Sequence, residues 1–259
     1  MPLTSPLAGK TVIVTRPLAQ AQNILEQLEV NLATTVHFPV LSISAIDDMR
    51  DAQQKFNHLQ DYQTLIFISA NAVHYAINCI NELNLSLKDS ALAAVGPATK
   101  RALEHHGLDV NIVPQSDFSS EALLATPELT NSKDKNILII RGQGGREHLR
   151  ETLTSRGAKV EYAEVYQRQL PNNRNPIQLN ELVGENSAVL LYSAESAQNL
   201  WSLCTKQERQ WLTNVKFIVG SQRIAESITR VAQTKNSIIA DNSSDQAMLD
   251  ALVKYFKIP

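Results

Sequence analysis

Short runs of β-branched and aliphatic residues alternate along this chain with stretches whose apolar positions fall at helical spacing. The run Val12-Ile13-Val14-Thr15 is followed by Ile24, Leu25 and Leu28, which share one face of a helix. The same alternation recurs at Leu65-Ile66-Phe67-Ile68, Leu92-Ala93-Ala94-Val95, Val110-Asn111-Ile112-Val113 and Ile137-Leu138-Ile139-Ile140. It returns at Val189-Leu190-Leu191-Tyr192, Phe217-Ile218-Val219 and Ile238-Ile239-Ala240. Strand-plus-helix units in such succession predict an α/β fold of parallel sheets covered by helices.

The units repeat. Arg141 stands 125 residues after Arg16, and Ser193 stands 124 after Ser69. Val219-Gly220 follows Val95-Gly96, and the segment from Asp241 to Met248 follows that from Asp117 to Leu124, both at 124. Landmarks that hold one offset to within a residue mark an internal duplication, hence two similar lobes, each a parallel sheet flanked by helices. Between the first and second unit of each half lies an extra extended segment, His37 to Ile43 and Tyr162 to Arg168, with Val165 placed 125 residues after Val40. These matched segments read as inter-lobe connectors able to pair as a two-stranded linker.

Composition narrows the function classes. Hydrophobic residues make up 43% and charged residues 19%, as in a globular protein. A net charge of -2 argues against a nucleic-acid binder that relies on a broad basic face. Met1 to Gly9 lacks a signal-peptide pattern, and no run approaches the roughly 20 apolar residues of a membrane helix, so a cytoplasmic protein with no membrane partner is expected. Cys79 and Cys204 follow apolar helical stretches and read as buried free thiols. The six histidines show no metal-ligand spacing, and His105-His106 before Gly107 reads as a helix end.

Ligands of open α/β sheets bind beyond the carboxyl ends of the strands. Those positions are here Thr15-Arg16, Ser69-Ala70-Asn71, Gly96-Pro97-Ala98-Thr99, Ser119-Ser120, Arg141-Gly142, Ser193-Ala194, Gly220-Ser221-Gln222-Arg223 and Ser243-Ser244. Hydroxyls and free N–H groups at helix starts cradle carboxylates or phosphates, whereas at any single position helix capping alone explains a serine. Taken as a set, with Arg16 and Arg141 related by the repeat, these ends favour an acidic ligand held between the lobes. Arg141-Gly142-Gln143-Gly144-Gly145 matches neither phosphate-loop fingerprint, so nucleotide chemistry is disfavoured. Neither a serine-hydrolase elbow nor a recognisable cysteine nucleophile is present. Tyr166, in the second connector, remains as a candidate acid, although an aromatic there also serves packing. A non-catalytic two-lobed binding protein and a Rossmann-like nucleotide enzyme stay open as rivals.

In order along the whole chain, the residues resemble the uroporphyrinogen-III synthase family. The resemblance rests on Val14-Thr15-Arg16-Pro17, Phe38-Pro39-Val40-Leu41, Phe67 to Val73, Ala94 to Thr99, Ser119 to Leu124 and Ile139 to Gly142. It continues through Val165-Tyr166, Ser193, Gly220 to Ala225 and Ser244-Asp245. It implies a discontinuous lobe of residues 1–36 and 171–259, a second lobe of 45–161, and linker strands at 37–44 and 162–170. It also implies a monomer, no cofactor, no metal, and a linear tetrapyrrole, hydroxymethylbilane, as substrate. Dehydration, inversion of ring D through a spiro intermediate and closure to uroporphyrinogen III would follow. Tyr166 resembles the family's linker tyrosine and is the candidate for protonating the departing hydroxyl. Thr99, Ser69 and Ser193 match cleft-lining positions, and Thr15, Arg16, Ala70, Asn71, Ser119, Ser120, Arg141, Gly142 and Ser221 complete the candidate substrate-binding set. Where some members carry Gly-x-x-Thr, this chain has Gly220-Ser221-Gln222-Arg223, which leaves the role of Arg223 open.

Overall fold

Strands buried on both faces need apolar residues at nearly every position, and the central strands here have them. The structure, a computed structural model, describes residues 5–87, 90–171 and 186–257. Residues 1–4, part of the segment read above for a targeting signal, and 172–185, part of the stretch assigned to the first lobe, lie outside these. The described strands are β1 (Thr11–Val14), β2 (Thr34–His37), β3 (Ser42–Ala45), β4 (Thr64–Phe67), β5 (Ala91–Ala94), β6 (Asn136–Gly142), β7 (Lys159–Gln169), β8 (Ser187–Leu191), β9 (Lys216–Val219) and β10 (Ser237–Ile239). The helices are α1 (Leu18–Val30), α2 (Arg50–Phe56), α3 (Ala70–Glu82), α4 (Pro97–His105), α5 (Ser120–Leu124), α6 (Pro127–Thr130), α7 (His148–Ser155), α8 (Ala194–Leu203), α9 (Lys206–Leu212), α10 (Gln222–Ala232) and α11 (Asp245–Lys257).

The chain divides into two compact units, Met1–Ser42 with Gln169–Pro259, and Ile43–Arg168. One sheet runs β10-β9-β8-β1-β2, and the other runs β3-β7-β6-β4-β5. All four pairings of the first sheet are parallel, as are β7-β6, β6-β4 and β4-β5 of the second. The duplication extends to register. Val14 lies beside Leu190 and His37, and Ile139, its repeat partner, lies beside Ile66 and Tyr162.

Successive strand residues feed opposite faces of each sheet. In the first unit Ile13, Val189, Leu191 and Phe217 pack with Ala197, Leu200 and Ile228 on one side. Val12, Val14, Leu190 and Ile218 pack with Ile24, Leu28 and Met248 on the other. The second unit repeats this, with Leu65, Phe67, Leu138 and Ile140 under α3 and α4, and Ile66, Ala93, Ile137 and Ile139 facing Leu123, Leu149 and Leu153. Both cysteines are buried and free. Helix α4 stops at the two histidines, with Gly107 taking the positive φ that follows.

Two expected elements differ. Val110 to Val113 forms no strand: Asn111 and Ile112 donate to the Leu92 carbonyl and Ala94 donates to that of Ile112, but the pairing stops at one bridge, Ala93 with Ile112. Pro114 follows at once and has no N–H to continue a ladder. The extended segment from His37 to Ile43 is the end of β2 and the start of β3 with a break between them. There Phe38 and Val40 donate to the Val14 and Thr15 carbonyls, while Pro39 between them has no hydrogen to give. No helix among the described residues is long and apolar enough to cross a membrane.

Just past β9, a Cβ built on Gly220 would lie 2.6 Å from the Ser243 backbone, whereas Ser221 next to it makes no side-chain cap bond. Gly220→Ala should therefore cost about 1–3 kcal/mol by overpacking, and Ser221→Ala less than about 0.5 kcal/mol. Chemical denaturation of the two variants tests this contrast, and equal midpoints would refute the close backbone approach.

Candidate active site at the strand ends

Parallel register levels the ends of three strands in the second unit beside a fourth, β7, that runs on. Phe67 of β4 lies beside Ala94 of β5 and Ile140 of β6. Two residues further on, Ser69 and Gly96 lie just past their strands, whereas Gly142 ends β6 and is paired with Tyr166 of β7. Across the carboxyl edge the row therefore reads Gly96, Ser69, Gly142, Tyr166.

A register slip sets the tyrosine. Arg141 pairs with Glu164, but Gly142 pairs with Tyr166, so Val165 is an extra residue on β7. A bulge of this kind re-aims the side chains that follow it. Strict alternation would send Val165 and Tyr166 to opposite faces, yet both join the buried cluster that holds Ala163. The phenol ring then lies over Gly142, where a Cβ would come within 2.5 Å of two ring carbons. Gln143 N–H donates to the Tyr166 carbonyl at 2.7 Å, closing the slip. Only 2% of Tyr166 is exposed, and its ring stacks on Tyr75 at 5.9 Å between centroids. Tyr75 is itself fixed by donating to the Ile43 carbonyl at 2.9 Å, and burial raises its phenol pKa.

The Tyr166 hydroxyl lies 3.1 Å from Ser69 Oγ. Ser69 also caps α3, accepting the Ala72 N–H at 3.1 Å. With Ala72 on one lone pair, the other can accept the Tyr166 proton, which leaves the serine hydrogen free for a third partner. The N–H groups of Ala70 and Asn71 open the same helix and, as first-turn donors, have no intrahelical acceptor.

Other candidate residues of this unit are more firmly committed. Arg141 is 3% exposed, with Nη1 at 3.1 Å from Glu147, Nε at 3.9 Å from Glu164, and the guanidinium 4.3 Å from the Tyr162 ring centre. Its charge is thus balanced inside the protein. Glu164 also accepts the Gly144 N–H at 3.0 Å, so the acidic group that approaches the glycine-rich loop is the protein's own. Arg141 and Ser120 line one concavity of about 210 Å³ with Ile68, Val95 and Tyr162. Ser119 caps α5 through Ala122 N–H, and Thr99 is buried in the first turn of α4.

In the first unit the Thr15 hydroxyl is buried and donates to the Leu190 carbonyl at 2.7 Å, which makes it structural. Arg16 is paired with Asp245 at 3.0 Å and its guanidinium lies 3.7 Å from the Tyr192 ring centre. Asn23 donates to the second oxygen of Asp245 at 2.8 Å. The Tyr192 hydroxyl is buried with no partner at hydrogen-bonding geometry. Burial first, and the Asp245 carboxylate second, push its pKa above the usual phenol range. Ser193 caps α8 through Ser196 N–H at 3.0 Å, Ser221 begins α10 without a side-chain cap bond, and Arg223 is exposed. Among the described residues no cluster of histidine, cysteine or carboxylate side chains could hold a metal.

A family model described as uroporphyrinogen-III synthase HemD matches residues 22–250. The chain belongs to the uroporphyrinogen-III synthase family. A uroporphyrinogen-III synthase of Escherichia coli K12 is 31% identical over 93% of this chain and 99% of its own length. That of Salmonella typhimurium is 30% identical over the same shares. In fold, the chain is similar to a mutant uroporphyrinogen III synthase of Thermus thermophilus, with TM-score 0.63 and 20% identity over 96% of this chain and 100% of the other. The Helicobacter pylori uroporphyrinogen-III synthetase gives the same TM-score at 17% identity, covering 95% and 99%. Two mostly parallel sheets flanked by helices are thus a shared architecture.

Against this synthase background, the structure brings Ser69, Gly142 and Tyr166 into direct contact, and Ser120 and Arg141 into one concavity. Sequence reasoning missed Tyr192 and Asp245 as the holders of Arg16. The Ser244-Asp245 motif carried a signal for the second of these, but nothing in the sequence marked the first.

The ring over Gly142 makes a clear prediction. Gly142→Ala should destabilise the protein by about 1–3 kcal/mol, and by much less in a Tyr166→Ala background, where the ring is gone. A double-mutant cycle by thermal or chemical unfolding measures this coupling. Additive effects would mean that the ring does not occupy that space.

Proposed function

We propose that this chain is an active uroporphyrinogen-III synthase. It takes hydroxymethylbilane, expels the hydroxyl of its hydroxymethyl group as water, joins that carbon to the substituted α-carbon of ring D as a spiro intermediate, and inverts the ring as the original bridge moves to the other α-carbon. Atoms balance: one C–O bond and the C–C bond from ring D to its original bridge carbon break, two C–C bonds form at the two α-carbons of ring D, and the α-carbon that was unsubstituted loses its proton. The observation that carries this reading is the match across nearly the full length of both chains to the E. coli synthase.

In this reading Tyr166, through Ser69, delivers the proton that turns the departing hydroxyl into water, and the proton lost at ring closure restores the pair. What supports the assignment is the 3.1 Å contact between the two hydroxyls at the strand-end row. A phenol held in one orientation by Gly142 and Tyr75 suits a reaction whose difficulty is geometric, because the substrate closes unaided to the uninverted isomer. Substrate carboxylates bind the open N–H groups of Ala70 and Asn71 and the hydroxyls at Thr99, Ser119, Ser120, Ser193 and Ser221. Arg16, Arg141 and Gly142 shape the strand ends beside them, and Thr15 buttresses Arg16 from within. Segments 37–44 and 162–170 serve as the connectors between lobes of residues 1–36 with 171–259 and 45–161. The enzyme works as a cytoplasmic monomer without metal or cofactor.

Purified protein given hydroxymethylbilane generated in place, with no metal or nucleotide added, should yield predominantly isomer III after oxidation and chromatography. Isomer I alone from folded protein would leave a two-lobed binding protein instead. Tyr166→Phe should lower kcat by about one to two orders of magnitude, at or below the usual range for a general acid, while still forming isomer III. Unchanged kcat would remove Tyr166 from the proton path.

A further inference from the structure

We infer that Phe118 is a positioning residue that stacks on a pyrrole ring of the bound substrate. This deepens the synthase reading and rests on it. Phe118 is 53% exposed and belongs to none of the four buried apolar clusters, so packing does not account for it. A single exposed apolar residue is ordinary on a protein surface; its position is what sets this one apart.

Phe118 lies against Gly96, one end of the strand-end row. A Cβ on Gly96 would come within 3.3 Å of the Phe118 Cβ and 3.8 Å of its Cγ. Asp117 before it takes the left-handed conformation, φ 51°, and Ser119 after it caps α5, so the backbone on both sides is fixed. Gly96 and Tyr166 are separated by three strand spacings, roughly 14–15 Å in all. The row is therefore bounded by one aromatic that is half open to solvent and one that is sealed, with the Ser69 hydroxyl between them.

A flexible chain of pyrrole rings laid along that edge meets donors for its carboxylates at α3 but, apart from Phe118, no exposed aromatic face among the residues of the row. Aromatic rings pair offset or edge-on, with a gain beyond burial of area alone. Such a contact fixes where a ring distant from the reacting carbon lies, and so which end of the chain reaches the Tyr166–Ser69 pair. The polar concavity beside it, lined by Asn111, Gln115, Asp117 and Glu128, offers no such face.

Phe118→Ala and Phe118→Trp, compared with the wild type, test this. The alanine variant should raise KM for hydroxymethylbilane about fivefold to twentyfold, as loss of an aromatic contact implies, with kcat within about twofold. Its affinity for uroporphyrinogen III, titrated calorimetrically under anaerobic conditions, should fall in parallel, and tryptophan should restore both. Unfolding temperatures should agree among all three, since half of the ring is already in water. Unchanged KM and product affinity in Phe118→Ala would overturn the inference, as would a loss that tryptophan fails to rescue. Absence of isomer III from the wild type would instead overturn the synthase reading, a result separate from any difference among the variants.

Discussion

Parallel pairing is the constraint from which the rest of this structure follows. When neighbouring strands run the same way, every crossover must return over a face of the sheet, so helices cover both faces and all helix starts gather at one edge. In the second unit that edge carries Gly96, Ser69, Gly142 and Tyr166 at one level because Phe67, Ala94 and Ile140 are in register beneath them. The slip at Val165 then turns a side chain that would have left the sheet on one face into the opposite one. Gly142 leaves room for the ring where any other residue would push it away. A hydroxyl pair at 3.1 Å results from strand geometry and one missing Cβ, with no dedicated loop involved.

The duplicated halves show how one scaffold position acquires different surroundings. Arg16 and Arg141 occupy equivalent strand ends, and each rests on a tyrosine ring and meets a carboxylate. The tyrosines are not equivalents. Tyr192 corresponds by the repeat to Ile68, and Tyr162 to His37. The carboxylates differ too, Asp245 in one half and Glu147 with Glu164 in the other. The same problem, a guanidinium at the end of a buried strand, has been solved twice with different neighbours. In both solutions the charge is balanced internally, so the positive potential left for an acidic ligand is small, and the proposed recognition rests more on N–H groups and hydroxyls.

Much of the fold was legible in the sequence because burial on both faces writes itself as unbroken apolar runs. Val12 to Val14, Leu65 to Phe67, Ile137 to Ile140 and Val189 to Leu191 are all within strands. Val110 to Val113 is interrupted by the exposed Asn111 and followed by a proline, and its pairing with β5 stops at one bridge to Ala93. Composition reports burial; hydrogen-bond register decides whether a strand forms. For the candidate site, the sequence offered strand-end hydroxyls and Tyr166, the latter marked by its place in the second connector and by family resemblance. What sequence could not show is direction. Thr15 looks like a ligand-facing hydroxyl, yet it points at the Leu190 carbonyl. Phe118, which no sequence pattern singled out, faces solvent. Both outcomes depend on atoms more than 20 residues away or on a single left-handed backbone angle, neither of which a local pattern encodes.

The burial of Tyr166 bears on what its hydroxyl can contribute. A sealed phenol beside a serine is useful for being held still. Ring contacts with Gly142 and Tyr75 and the capped Ser69 leave little freedom about either side-chain bond. For a substrate that closes by itself to the wrong isomer, lowering a barrier without restricting geometry would accelerate both outcomes. In the proposed reaction, a fixed donor that meets the leaving group from one direction favours only the approach that matches it. The rigidity that strand register imposes on this edge is therefore the property that the proposed chemistry most needs.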